Sequence, residues 1–382
     1  MVASKPKIYL TKNYKLDGAE DASTNVFMFN ENGPLLPAKW VRKNIELNEG
    51  CFVVLDHHKT ILREAERNLQ KRNYYIETVD FSDMANGTCI NPFDLVKDTS
   101  EIHFMFLNFL YAMWDNADPD LQAMSNLIDA FASCVFSMFS NQKEKLNMET
   151  LRRMVYSVRA NCQTEDGLMP MSDAVFAGIK DQESMPCKYY AQFKRASGER
   201  WNEVAEKVAK VFDMFTEADM QMMRETDESL ADSFSFKTAV FVNVEREEEE
   251  HSAKLMMILL NYFVQRVTEH SHVLFVFDQL NAQYGMVSLP HWMKESNDYN
   301  MSFLVICEDL ASFKATPRAE RFFRNLQKTV SASVLVHHND TAIKFANELP
   351  TTCDEMNEWA EQEFVATVLI PGREVSDQDI VF

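Results

Sequence analysis

The sequence predicts an α/β fold with a mostly parallel central sheet and an inserted all-helical lobe. Three observations carry that expectation. Short apolar runs rich in Val and Phe recur along the chain: Asn25–Phe29, Cys51–Leu55, Lys237–Val242, Val273–Phe277 and Ser302–Cys307. Runs of this length bounded by polar residues read as strands buried on both faces, which is how parallel sheets are covered. Amphipathic segments separate several of them, giving the alternation of an α/β domain. Between about residues 99 and 232 the alternation stops, and apolar residues recur only at helical spacing.

In chain order, Lys7–Thr11 reads as a short edge strand, followed by a polar connection through Asp17-Gly18 to the strand at 25–29. The turn after that strand, Asn30-Glu31-Asn32-Gly33-Pro34-Leu35-Leu36-Pro37, stands where a phosphate-cradling loop would be. It holds one glycine, an acid and two prolines without N–H groups, so it is poorly built to gather amides around an anion. Strand 51–55 ends in Asp56-His57-His58-Lys59, and a helix at 60–71 leads to strand 74–79, a βαβ unit. His57 and His58 are neighbours on a turn and point apart, so they do not read as a metal site; nor do His270 and His272, or His337 and His338. Gly87–Asp94, with its Asn-Pro-Phe, then stops the sheet and starts the helical block.

Helical spacing marks 99–115, 118–140, 147–161 and 188–215, with 163–186 the least patterned stretch and an exposed excursion. After strand 237–242, the acidic run Glu245–Glu250 opens a helix at Leu255–Val267, where negative charge complements the helix dipole. Strand 273–277 delivers Asp278, the type of strand-tip carboxylate that holds a nucleotide-bound magnesium or, more simply, caps the next segment. Further helices at 289–296 and 317–328 and strands at 331–336 and 364–370 complete the chain.

Composition sets the outer bounds. At 382 residues with 46% hydrophobic content, 9 glycines and 11 prolines, the chain can bury a large core and is not a low-complexity sequence. A formal charge of −20 argues against a broad surface that tracks a phosphate backbone, so any DNA contact would be local, around Lys188, Lys194, Arg195 and Arg200. Seven scattered cysteines without CxxC spacing fit a reducing compartment. No stretch approaches the length of an apolar membrane span, so the expected location is cytoplasmic, or peripheral at the inner face of the membrane.

The order of strand, loop, βαβ, Asn-Pro-Phe, helical block, Lys-Thr-Ala-x-Phe strand, long helix and strand with Asp resembles the TraG-type coupling ATPases of conjugative type IV secretion. The resemblance runs from Ile8 to about residue 350 and rests on order and spacing. It implies a RecA-like P-loop NTPase fold, with 1–98 and 232–382 forming the RecA-like domain, helices of 99–140 packing on it, and 141–231 the inserted all-helical lobe. It also implies an oligomeric DNA-transfer motor that uses ATP and magnesium.

Carried over residue by residue, the family's site is degenerate. Its phosphate loop falls on Asn30, Asn32 and Gly33 through Pro37, with Leu36 at the lysine position and Pro37 at the hydroxyl position; Lys39 lies too late to match. The Asp-Pro-Lys-Gly signature becomes Asp56-His57-His58-Lys59 and keeps only its Asp. The Asp-Glu pair becomes Asp278-Gln279, retaining the metal-side carboxylate but replacing the base by an amide. The glutamine thought to sense the γ-phosphate becomes Glu308, whose charge would repel phosphate, and a second becomes Ser312.

The expectation is therefore a coupling-protein homologue that keeps the scaffold without ATP hydrolysis and without a cofactor. It would act as an adaptor toward a relaxase, an accessory protein or an active motor paralogue of the mobile element. The alternatives are a divergent DNA-translocating ATPase, with ATP bound and magnesium on Asp278, and a diverged remnant with an unrelated binding role.

Overall fold

A computed structural model describes residues 7–10, 15–17, 24–30, 35–56, 59–80, 89–96, 98–114, 118–164, 167–227, 237–243, 260, 263–264, 267, 272–278, 280, 289–296, 298–307, 317–337 and 365–369. The chain divides into two compact units, one of residues 1–82, 232–253 and 266–382, the other of 83–231 and 254–265.

The first unit is built on an eight-stranded sheet in the order β12-β11-β3-β10-β9-β4-β8-β5. Its strands are β3 (Val26–Asn30), β4 (Cys51–Leu55), β5 (Tyr75–Asp80), β8 (Thr238–Asn243), β9 (Val273–Phe277), β10 (Met301–Cys307), β11 (Ala332–His337) and β12 (Val365–Leu369). All neighbours pair in parallel except β12, which runs antiparallel to β11 at one edge. Every residue of β4, β8, β9 and β10 is buried, which is why these strands read in the sequence as unbroken apolar runs. Helices α1 (Leu35–Leu47) and α2 (Thr60–Lys71) cover one face, where Trp40, Val41, Ile45, Ile61, Ala65 and Leu69 share a core with Phe52, Val54, Leu274 and Leu304. On the other face Phe323 of α11 (Pro317–Gln327) meets Phe27 edge-on at 5.8 Å. Helix α10 (Leu289–Lys294) is tied to the start of β3, since the Asn25 amide donates to the Met293 carbonyl at 2.6 Å.

Lys7–Thr11, expected as an edge strand, instead forms β1 (Lys7–Tyr9) in a separate two-stranded sheet with β2 (Lys15–Asp17). Its other side is satisfied by side chains. The amides of Asn44 and Asn48 each accept from and donate to the β1 backbone, at Tyr9 and Lys7, and the Trp40 indole N–H donates to the Tyr9 carbonyl at 2.8 Å. Trp40, Asn44 and Asn48 lie four residues apart on α1 and just beyond it, so one helical stripe replaces a neighbouring strand.

The second unit contains α3 (Thr99–Met113), α4 (Leu121–Phe139), α5 (Met148–Val155), α6 (Met171–Ala177), α7 (Met185–Ser197), α8 (Trp201–Asp213) and α9 (Glu217–Met222). Residues 83–231 lie in this compact unit, and α3 and α4 belong to it. The reason is α4, which is buried without a break from Ala123 to Val135 and packs against α3, α5, α7 and α8. The lobe is not all-helical, because β6 (Asn161–Thr164) and β7 (Gly167–Pro170) form a hairpin in the stretch that lacked a pattern. Four-residue strands carry too few residues to show a period, and Gly167 supplies a φ of 121° at the return. The segment 188–215 is two helices, broken where Gly198 turns to a φ of 54°. The acidic run Glu245–Glu250 and most of Leu255–Val267 lie outside the described residues.

Candidate functional site at the carboxyl edge of the sheet

Helices that follow adjacent strands and leave toward opposite faces open a crevice at the carboxyl ends of those strands. The chain leaves β3 for α1 on one face, whereas from the neighbouring β10 it continues to α11 on the other. The switch point therefore lies beyond Asn30 and Cys307. Asn30 ends β3 opposite Val336, and Cys307 ends β10 opposite Phe29.

Along the same edge the sheet register lines up a row of polar residues. Asp80 pairs with Asn243 at the ends of β5 and β8, while Asp56 and Asp278 each directly follow a cross-strand pair, Leu55 with Phe277. Both aspartates are buried, and their N–H groups extend the ladder to the carbonyls of Val242 at 2.9 Å and Leu55 at 3.1 Å. Asp278 thus stands at the tip of β9, next to Asp56 at the tip of β4.

The Asp56 carboxylate has a definite task. Oδ1 accepts from the Thr60 N–H at 2.8 Å and Oδ2 from the Leu62 N–H at 2.7 Å, so both oxygens satisfy first-turn amides of α2. Between them Lys59 takes a left-handed conformation, φ 53° and ψ 25°. This is the position at which the TraG-type signature carries glycine, the residue that adopts such a backbone without strain. The Lys59 ammonium reaches Asp80 Oδ2 at 2.8 Å, and the Asn243 amide donates to Asp80 Oδ1 at 2.8 Å. The trio Lys59, Asp80 and Asn243 was not legible in the sequence, since only strand register brings it together.

At the opposite side of the crevice, the first turn of α1 is Leu35-Leu36-Pro37. It contains no lysine and no hydroxyl residue, and Pro37 contributes no N–H. Asn32, Gly33, Gln279, Glu308 and Ser312 lie outside the described residues, and Asn30, Leu36 and Pro37 are described in backbone only. Among the described residues no group of three His, Cys, Asp or Glu side chains is placed to share a metal ion.

His272 sits at the amino end of β9, far along the strand from Asp278. Its Nε2 is 3.0 Å from Ser302 Oγ, which in turn bonds Thr24 Oγ1, and burial pushes its pKa down to about 4. Of the four basic residues considered for DNA, Lys188 pairs with Glu183 at 3.6 Å, Lys194 with Asp173 at 2.7 Å, and Arg200 with Asp120 and Glu203 at 2.8 and 3.1 Å. Most of that positive charge is locally neutralised. None of the described helices is long and apolar enough to cross a membrane.

No protein-family model matches the chain, and no curated protein matches it. Solved structures do. The bacterial conjugative coupling protein TrwBdeltaN70, in its trigonal form with sulphate, is similar with a TM-score of 0.59 at 11% identity, over 94% of this chain and 79% of that one. The plasmid coupling protein TrwB in complex with ADP and Mg2+ gives 0.63 at 9% identity, over 94% and 85%. VirB4 of Thermoanaerobacter pseudethanolicus gives 0.54 at 11% identity, over 99% and 96%. At these identities the likeness is one of fold alone, a RecA-like α/β fold.

Proposed function

We propose that this chain is an ATPase-dead relative of the conjugative coupling proteins, retaining the motor's framework as an adaptor or regulatory subunit of a type IV secretion or mobile-element transfer system. The observation that carries the reading is the first turn of α1. A phosphate-binding helix start offers converging N–H groups, a lysine and a hydroxyl, and here that turn is Leu35-Leu36-Pro37. The second support is Asp56, whose carboxylate is already spent on the amides of α2. Gln279 in place of the family's glutamate removes the base that would orient water, because an amide takes no proton at neutral pH. The partners that fit an adaptor of this kind are a relaxase, an accessory protein or an active motor paralogue.

Phosphate release from ATP in the presence of magnesium tests the proposal, together with recovery of partners from cells that carry the mobile element. The expected result is no turnover above buffer and co-purification of a motor or relaxase. Sustained turnover abolished by Asp278→Asn would contradict it. That outcome would favour the second reading, a divergent DNA-translocating ATPase, for which the buried carboxylate of Asp278 at the tip of β9 is the specific support.

A further inference from the structure

Helix α4 carries a carboxylate within its fully buried stretch, among Ser125, Asn126, Ser133 and apolar neighbours. Asp129 is 0% exposed, in the middle of thirteen consecutive buried residues. Burying an ionised carboxylate costs several kcal/mol unless it is paired, so this residue needs a partner. It has one from another helix: His103 Nδ1 of α3 stands 2.7 Å from Asp129 Oδ2. Ser125, one turn earlier on α4, adds a longer contact at 3.4 Å, and Oδ1 has no hydrogen-bond partner among the described residues. The imidazole is about one-third exposed and lies under the ring of Tyr189 of α7, stacked at 6.4 Å. Solvent therefore reaches the histidine while the carboxylate behind it stays dry.

We propose that His103 and Asp129 form a proton-operated clasp between α3 and α4, closed when the imidazolium faces the carboxylate and loosened when the histidine gives up its proton. With the proton in place, the buried negative charge is neutralised within hydrogen-bond distance. Without it, neutral imidazole can still donate one hydrogen bond, but the charge on Asp129 is left without a facing cation in the buried interior. Among the described residues, the titratable groups brought to the pair are His103 from α3, Asp129 from α4 and Tyr189 from α7. The hydrogen bond to Asp129 raises the His103 pKa above its usual value, and burial raises that of Asp129. Burial, and then the Asp129 charge, raises the Tyr189 hydroxyl, which keeps its proton through the neutral range.

The sign follows from linkage. A histidine whose folded value is raised contributes stability that is fully present below its unfolded value of 6.5 and is lost as pH rises through the folded value. The clasp thus tightens toward mild acid and slackens toward mild alkali, opposite to the usual behaviour of a buried neutral histidine.

The test uses the whole chain. Titration of the His103 ring nitrogens by NMR should give an apparent value above 6.5 in the wild type and a return toward 6.5 in Asp129→Asn. Amide hydrogen exchange, corrected for intrinsic rate, should show α3 losing on the order of fivefold protection between pH 6 and pH 9. In His103→Gln, which keeps a donor but cannot titrate, that pH dependence should vanish. A ring titrating at or below 6.5 in the wild type would overturn the clasp, as would an unchanged exchange profile in His103→Gln. Should either variant fail to fold, the wild-type titration alone decides.

Discussion

Lys59 shows most directly how one residue reports on the site. A lysine at φ 53° pays about 1 kcal/mol or more in backbone strain, partly offset by its exposed ion pair with Asp80. Replacing it with glycine should leave stability unchanged or raise it by up to about 1 kcal/mol in urea denaturation. Lys59→Val, which keeps the backbone but branches at Cβ, should cost about 1–2 kcal/mol. His272 makes a second residue-scale prediction. Its pKa is depressed from 6.5 to about 4, so its contribution to stability is present above 6.5 and is lost as pH falls through about 4. That window corresponds to roughly 3 kcal/mol of acid sensitivity, and a pH series of denaturation midpoints for wild type and His272→Gln should differ by that order. What the sequence revealed at this scale was Asp56 and Asp278, because each ends an apolar run. It did not reveal Lys59, Asp80 and Asn243 as a trio, since 163 residues separate Asp80 from its amide partner.

Among the elements, the buried parallel strands were readable because both faces are covered, leaving a continuous apolar signature in Cys51–Leu55 and Val273–Phe277. Strand β1 was readable as a strand but not in its setting, because its partner on one side is a helical stripe of Trp40, Asn44 and Asn48 rather than another strand. The β6–β7 hairpin left no period to detect. Helix α2 owes its start to Asp56, which satisfies two amides at once, so Asp56→Ala should destabilise the first unit by about 2 kcal/mol in chemical denaturation. An effect well below 1 kcal/mol would mean that the carboxylate is not a cap but is held for a ligand.

For the whole molecule, charge and site point the same way. The chain carries −20, and three of the four basic residues first considered for DNA are paired with acids of their own unit. Duplex DNA binding at about 150 mM salt should therefore be undetectable by fluorescence anisotropy at micromolar protein, the range in which phosphate-tracking proteins bind non-specifically. The central proposal is narrower: the RecA-like fold surrounds a crevice that does not grip a triphosphate. Calorimetric titration of the full chain with a non-hydrolysable ATP analogue and magnesium tests it most directly. The account predicts no saturable heat up to about 1 mM nucleotide, an affinity weaker than about −4 kcal/mol. A dissociation constant in the micromolar range, lost on Asp278→Asn, would contradict it.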